Sequence, residues 1–363
     1  MRQIRINVFA ISVLLVCTGI VMIYSSTSIY ALDRYGDSLY FLKRHIIFLL
    51  FGTVIAALAM AIDYRVLKKY SKPIILIALF LLVLVLIPGL GREVSGARRW
   101  FRFRFISFQP SELANLAIII YAADFASRKF DSIKTSIFGS MPLLAVLGAT
   151  VFLILLQPDL GTVLAMTAVV MIMLFIAGLK PVYIVNFILL SLPALYLLIF
   201  SVPYRRARIF AFLNPWADPR GSGFQIIQSQ IALGSGGIFG AGLGHSKQKL
   251  FYLPAAHTDF VFSIIGEELG LIGTIIIIAL FTALLRLSYL IIKNAPDRFG
   301  YFLSLGLTLM LALKTIVNIG VSCGIFPTKG LPLPFISYGG SSLIFDMVSI
   351  GLILNVARTG DYP

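Results

Sequence analysis

The sequence predicts an all-α polytopic membrane protein of about ten transmembrane helices, and three observations predict it. Of its 363 residues 59% are hydrophobic and 12% charged, at a mean hydropathy of +0.97, far beyond what a soluble core needs. Apolar stretches of about 20 residues, enough to cross a bilayer's hydrocarbon core, recur along the whole chain. Cations crowd several of the short connections between them, the bias that sets the orientation of membrane proteins.

The spans fall near 8–28, 45–62, 73–88, 111–126, 138–156, 160–178, 182–201, 260–292, 300–325 and 340–357. The first runs on to Tyr24 without a small-residue cleavage site and reads as a retained helix. Arg2 and Arg5 precede it. Arg65, Lys68, Lys69 and Lys72 follow the second span, and Arg128, Lys129 and Lys134 the fourth; all of these mark the cytoplasmic side. With an even number of spans both termini are expected in the cytoplasm of a plasma-membrane protein, and segments 89–110 and 202–259 face outward. The second of these is a large extracytoplasmic loop between spans seven and eight, inside a single membrane domain covering 1–363. Cys17 and Cys323 sit in spans and argue against a disulfide scaffold.

The outward segments are as basic as the inward ones. Arg92, Arg98, Arg99, Arg102 and Arg104 lie in the first, and Arg205, Arg206, Arg208, Arg220, Lys247 and Lys249 in the second. One reading is a solvated face against anionic membrane lipids. The other is a site for a pyrophosphate-bearing substrate, because the excess sits where the orientation bias disfavours it and Arg forks bind phosphate bidentately. Nucleic acid is not an expected partner, since an outward site between spans offers no stacking platform.

Several segments carry polar groups that a plain helical bundle does not need. FQPSELAN, 108–115, places Pro110 in the first turn of the fourth span, with Ser111 and Glu112 able to cap it. QPDLGT, 157–162, makes a tight outward turn in which Asp159 is placed to cap the sixth span. GFQIIQSQIALG, 223–234, has an apolar stripe at helical spacing, as a short helix at the outer leaflet would. The glycines that follow permit close backbone approach or form a flexible linker. FPTKGLPLPFISYGGSS, 326–342, cannot form a continuous helix, so its backbone either folds against protein or lines a wet cavity. There Lys329 offers a cation, and Ser337, Tyr338, Ser341 and Ser342 offer hydroxyls; a cap on the last span through Ser341 or Ser342 is the structural alternative.

Asp259, at the edge of the eighth span, is the main candidate for chemistry, because a carboxylate at that depth is costly to desolvate and titrates easily. His257 is read as its hydrogen-bonding neighbour. Glu267 and Glu268, about two turns on, are equally consistent with a buried structural pair and with catalysis.

Together FQPSEL, QPDLGT, NPWADPRGSGFQIIQS, ALGSGGIFGAGLG, KLFYLPAAHTDFVFSIIGEELG and PTKGLPLPFISYGGSS resemble, in order from about residue 92 to the C-terminus, the signature blocks of the SEDS family of polytopic peptidoglycan glycosyltransferases. The wording resembles the cell-division branch more than the elongation branch. The resemblance implies polymerisation of lipid II at the outer face of the plasma membrane in septal wall synthesis, with inversion at the anomeric carbon and release of undecaprenyl pyrophosphate. It implies that Asp259 is the catalytic residue. The expected substrate contacts are Arg98, Arg99, Trp100, Lys249, His257, Lys329, Ser337 and Ser341, with Arg205, Arg206 and Arg208 as further candidates.

No cofactor is assigned. A divalent cation, Mg2+ or Mn2+, is a candidate to share the electrostatic work with the basic residues, although no metal-ligand spacing is visible. The implied partners are a class B penicillin-binding protein transpeptidase and other divisome proteins. A lipid II flippase, an elongation-type polymerase and a non-catalytic scaffold are the alternative functions. The sequence departs from the family in having Asn115 where a Lys is common and in placing Lys314 and Asp346 inside spans. Unpaired charges there are expensive, so Lys314 and Asp346 are expected to pair, and Lys314 is a candidate to replace the missing cation.

Overall fold

The computed structural model describes residues 1–94, 97–103, 106–249, 257–328 and 330–359, without the side chains of 94, 102, 103 and 106. Lys329, Arg104 and the Leu250–Ala256 part of the signature around Asp259 therefore lie outside the described residues, as does the Arg102 side chain.

The described residues hold thirteen α-helices. The first three are α1 (Arg2–Tyr35), α2 (Tyr40–Ala61) and α3 (Arg65–Leu86). Then come α4 (Pro110–Arg128), the short α5 (Phe130–Thr135), α6 (Met141–Leu155), α7 (Leu160–Ile176) and α8 (Pro181–Phe200). Next are α9 (Pro203–Leu213) and α10 (Phe224–Ser235), followed by α11 (Val261–Lys293), α12 (Arg298–Ser322) and α13 (Gly340–Thr359). All but α5, α9 and α10 coincide with the ten expected spans, and eight spans are long and apolar enough to cross a membrane on length and composition alone. The other two, α4 and α7, fall short for different reasons. In α4, Glu112, Asp124 and Arg128 occur within 19 residues, and α7 has only 17 residues.

That exception is informative, because α4, α12 and α13 are buried along most of their length, whereas α8 has no buried residue. The charges within α4, α12 and α13 are enclosed by protein while the wholly apolar α8 takes the periphery, as the cost of placing polar groups against lipid demands. The central helices pack as α4 against α3, α7 and α12, and α13 against α2 and α12. Both cysteines are free thiols.

The segment expected as an outward loop contains a small antiparallel sheet in the order β1 (Arg92–Val94), β2 (Ala97–Phe103), β3 (Ile106–Phe108). It leads straight into α4, with Pro110 at the first helical turn, where its missing N–H costs nothing. Asp159 caps α7, accepting from the Thr162 amide at 3.3 Å and hydroxyl at 2.9 Å. Glu112 does not act as a cap. Its carboxylate turns away from the helix start toward Lys314 on α12.

The glycine-rich stretch after α10 has a structural task. Helix α11 breaks at Gly270, whose φ of 67° and ψ of −163° are open to glycine alone. The carbonyls of Glu267 and Glu268 accept from the amides of Ala241 and Gly242, and the amides of Leu271 and Ile272 donate to the carbonyls of Gly237 and Ile238. The kink thus exchanges helical bonds for bonds to a neighbouring segment, the condition under which a broken helix is tolerated in a membrane. A Cβ at Gly270 would stand 2.3 Å from the Gly240 nitrogen. Gly270→Ala is therefore expected to destabilise the fold by about 2–4 kcal/mol, combining a forbidden backbone conformation with a clash, and to lower the melting temperature in detergent; an unchanged melt would remove the kink from the account.

Candidate functional site

Asp259 lies just ahead of α11, where two segments distant in sequence, α12 and 330–339, hold its backbone. The Ser337 hydroxyl donates to the Thr258 carbonyl at 2.6 Å and accepts from the Leu333 amide at 2.9 Å. The Tyr338 amide donates to the His257 carbonyl at 2.8 Å. Asn318 on α12 donates from one amide nitrogen to both the Asp259 carbonyl, 3.0 Å, and the Leu331 carbonyl, 2.9 Å. These bonds fix the backbone of 257–259 against the irregular segment 330–339. That segment in turn rests on α1 at Gly19, where a Cβ would come within 2.3 Å of the Phe335 carbonyl. Only a residue without a side chain allows that approach.

The Asp259 carboxyl faces Gly330, at which a Cβ would stand 3.4 Å from Oδ2. Burial is the largest influence on it and pushes its pKa up to about 6. The Arg208 guanidinium and a hydrogen bond from Thr258 oppose that rise, while the Asp159 carboxylate adds to it. Arg208, on α9, is itself steered by donation to the Thr328 carbonyl at 3.1 Å. Asp159 is brought near by Arg99 on β2, which donates to the carbonyls of Gln157 and Pro158, both at 2.6 Å. The α6–α7 turn, held by Arg99 of the sheet, α9 and the 330–339 segment therefore surround one carboxyl group. A carboxyl that titrates near 6 is ionised at neutral pH yet still basic enough to accept a proton.

The remaining expected contacts are placed as follows. Arg98 pairs with Glu93 across the β1–β2 ladder at 3.3 Å, and Trp100 is partly buried on β2. His257 is enclosed by aromatic rings, with centroids of Phe41, Tyr338 and Tyr30 at 5.2, 5.7 and 6.3 Å. Burial pushes its pKa down to about 4, which keeps the imidazole neutral at physiological pH. Ser341 accepts from the Gln109 amide and donates to the Ser107 carbonyl, joining the start of α13 to the end of the sheet. Lys249 is taken up inside the protein, paired with Glu268 at 2.8 Å and donating to Ser25 on α1 at 3.1 Å. Glu267 accepts from the Ser246 hydroxyl and the Lys247 amide, so both glutamates tie the 246–249 segment to α11. Arg205 donates to the Leu198 carbonyl at the end of α8, and Arg206 is exposed.

Beneath Asp259 lies a buried ionic triad. The Lys314 ammonium reaches Asp346 and Glu112 at 2.9 Å each, with side chains 2%, 5% and 7% exposed. The expected pair of Lys314 with Asp346 is present, and Glu112 is its third member. Lys314 and Asn318 lie one turn apart on α12, so one face of that helix carries both the triad and the clamp on Asp259. The sequence reading missed Asn318. A polar residue four positions after a buried lysine on an apolar helix was the available signal.

Among the described residues no group of three or more His, Cys, Asp or Glu side chains could hold a metal ion. Asp259 offers one carboxylate and Asp159 is committed to its cap, so these residues do not form a resident Mg2+ or Mn2+ site of several oxygen ligands.

A model of the FtsW, RodA and SpoVE family, described as cell cycle proteins, matches residues 5–362. The probable peptidoglycan glycosyltransferase FtsW of Geobacter metallireducens is 48% identical over 350 residues, 96% of this chain and 93% of that protein. Stage V sporulation protein E of Bacillus subtilis is 43% identical over 352 residues, 97% of this chain and 96% of that protein. Among solved structures, a chain from a study of structural coordination of polymerization and crosslinking by a peptidoglycan synthase complex aligns with a TM-score of 0.76 at 30% identity, covering 100% of this chain and 99% of that one. This multi-pass membrane protein belongs to the FtsW, RodA and SpoVE family of cell cycle proteins.

Proposed function

We propose that the chain is a peptidoglycan glycosyltransferase of cell division, polymerising lipid II at the outer face of the plasma membrane with Asp259 as general base. The observation that carries the residue assignment is the convergence of three separated segments on one carboxyl group with a pKa near 6. Asp259 takes the proton of the acceptor sugar's 4-hydroxyl as that oxygen attacks the donor's anomeric carbon; the anomeric carbon–oxygen bond to undecaprenyl pyrophosphate breaks, with inversion. Negative charge grows on the departing pyrophosphate, and a cation held beside the site lowers the barrier. Arg208, already within electrostatic reach of Asp259, is the first candidate, joined by Lys329, Arg98 and Arg99, with Trp100 as a further substrate contact. Mg2+ or Mn2+, where the reaction uses it, would come with the substrate's phosphates.

The even number of apolar helices and the cations at the start of α3 and the end of α4 support cytoplasmic termini, which sets α9 and α10, within the 202–259 loop, on the outer side of a single membrane domain. The solved synthase complex supports a class B penicillin-binding protein as partner. The triad speaks against a flippase, because Lys314 is neutralised by Glu112 and Asp346 instead of lining an open path.

The test supplies labelled lipid II to the purified protein with its transpeptidase partner. Glycan polymer is expected. Lipid II moved across the bilayer without polymer would establish the transporter, and neither result would leave the scaffold.

A further inference from the structure

A second charged site lies at the opposite end of the helices from Asp259. The first two turns of α3 and the last turn of α4 border a cleft of about 400 Å3 that is widely open to the surface. Five cations line it: Arg65, Lys68, Lys69 and Lys72 of α3, and Arg128 of α4. Its floor is Ser71 and Asp124, both buried.

The charges are not balanced within the protein. Asp124 is consumed by Arg128, which binds both carboxylate oxygens at 2.8 Å, and by the Ser71 hydroxyl at 2.6 Å. Arg65 pairs with Asp297 at 3.0 Å. Among the described residues Lys68, Lys69 and Lys72 have no carboxylate partner, and the first turn of α3 holds no acid. Arg65 with Lys69, and Lys68 with Lys72, are like charges four residues apart, a spacing that is unfavourable on a helix. They also sit at the helix's amino end, where the backbone dipole is itself positive. Asp63 accepts from the Arg65 amide at that end at 2.9 Å, but among the described residues no carboxylate pairs with the three lysines, and an anion in the cleft would.

We propose that this cleft binds the phosphate headgroup of an anionic phospholipid. Lysine is a point-charge binder of phosphate, and basic pockets between helices at the cytoplasmic membrane face suit such headgroups. The placement at the boundary where two spanning helices end favours a lipid over a soluble anion. The site is independent of the reaction assigned to Asp259, and its test does not read catalysis.

The full-length protein is reconstituted in nanodiscs of phosphatidylcholine and phosphatidylglycerol in equal parts, and retained lipid is read by native mass spectrometry. Phosphatidylglycerol is expected to be held preferentially. The triple variant Lys68→Gln, Lys69→Gln, Lys72→Gln is expected to lose that preference on the order of a hundredfold, at roughly fivefold for each charge. All three side chains are exposed, so the variant keeps its melting temperature. The control triple Lys129→Gln, Lys180→Gln, Lys293→Gln, exposed cations of the same face, is expected to retain the preference. Equal loss in both triples would replace a site by a general surface charge and overturn the proposal. So would an unchanged preference in the first triple, or inorganic phosphate retained in place of the lipid.

Discussion

Asp259→Asn is expected to reduce glycan polymerisation by about 10²–10⁴-fold, the usual contribution of a positioned general base, while leaving the fold at least as stable at pH 8. The stability half follows from the sign of the pKa shift. The folded-state pKa, about 6, lies above the ordinary carboxylate value of 3.8, so the folded protein holds this proton more tightly than the unfolded chain does. Ionisation therefore costs the folded state stability as pH rises from about 4 through 6, and the cost is complete above that window. Its size is about 2 kcal/mol, at 1.36 kcal/mol per unit and discounted for partial solvent contact. Asparagine keeps the shape and carries no charge, so the variant is relieved of that cost. Size-exclusion profiles and thermal melts report the fold, and polymer from labelled lipid II reports the chemistry. A variant that is inactive because it is unfolded would give no support to the assignment.

Lys314→Met is expected to remove most folded protein. The substitution leaves Glu112 and Asp346 as carboxylates enclosed between α4, α12 and α13 without their shared cation, and breaking a buried pair from one side costs about 3–5 kcal/mol. The triad is worth far less as a whole than any one of its members is once the others are present, because neutral side chains of similar volume are tolerated in such places. Combining Lys314→Met with Glu112→Gln and Asp346→Asn is accordingly expected to restore the yield of monodisperse protein. A single Lys314→Met protein with the parental melting temperature would show that the triad does not hold these helices together.

The ten spans were legible because length and apolarity are local properties, and the Asp159 cap and Pro110 start were legible because each signal lies within four residues of its consequence. The end of α1 was not. Hydropathy stops the span near residue 28, yet the helix continues through Tyr35 and ends at Gly36, whose φ of 70° terminates it. The strands at 92–108 were hidden behind their arginines, read as charge although Trp100, Phe101 and Phe103 are of the aromatic type that strands favour. The kink at Gly270 depends on the 237–242 segment about thirty residues earlier, and the glycine itself looks like one more small residue in a helix. Asp259, Lys314 and Asp346 stood out as charges in apolar surroundings. What the sequence left open was their company: Asn318, Glu112 and the aromatic ring around His257 are assembled only by packing.

The dependence of polymerisation on pH tests the role of Asp259 most directly. Measured at lipid II well below KM, kcat/KM is expected to rise tenfold per unit from pH 4.5 to about 6 and to level above it, as the base of the free enzyme loses its proton, and the residual activity of Asp259→Asn is expected to lack that limb. A wild-type profile flat from pH 4.5 to 8, or the same limb in the Asp259→Asn protein, would contradict the account.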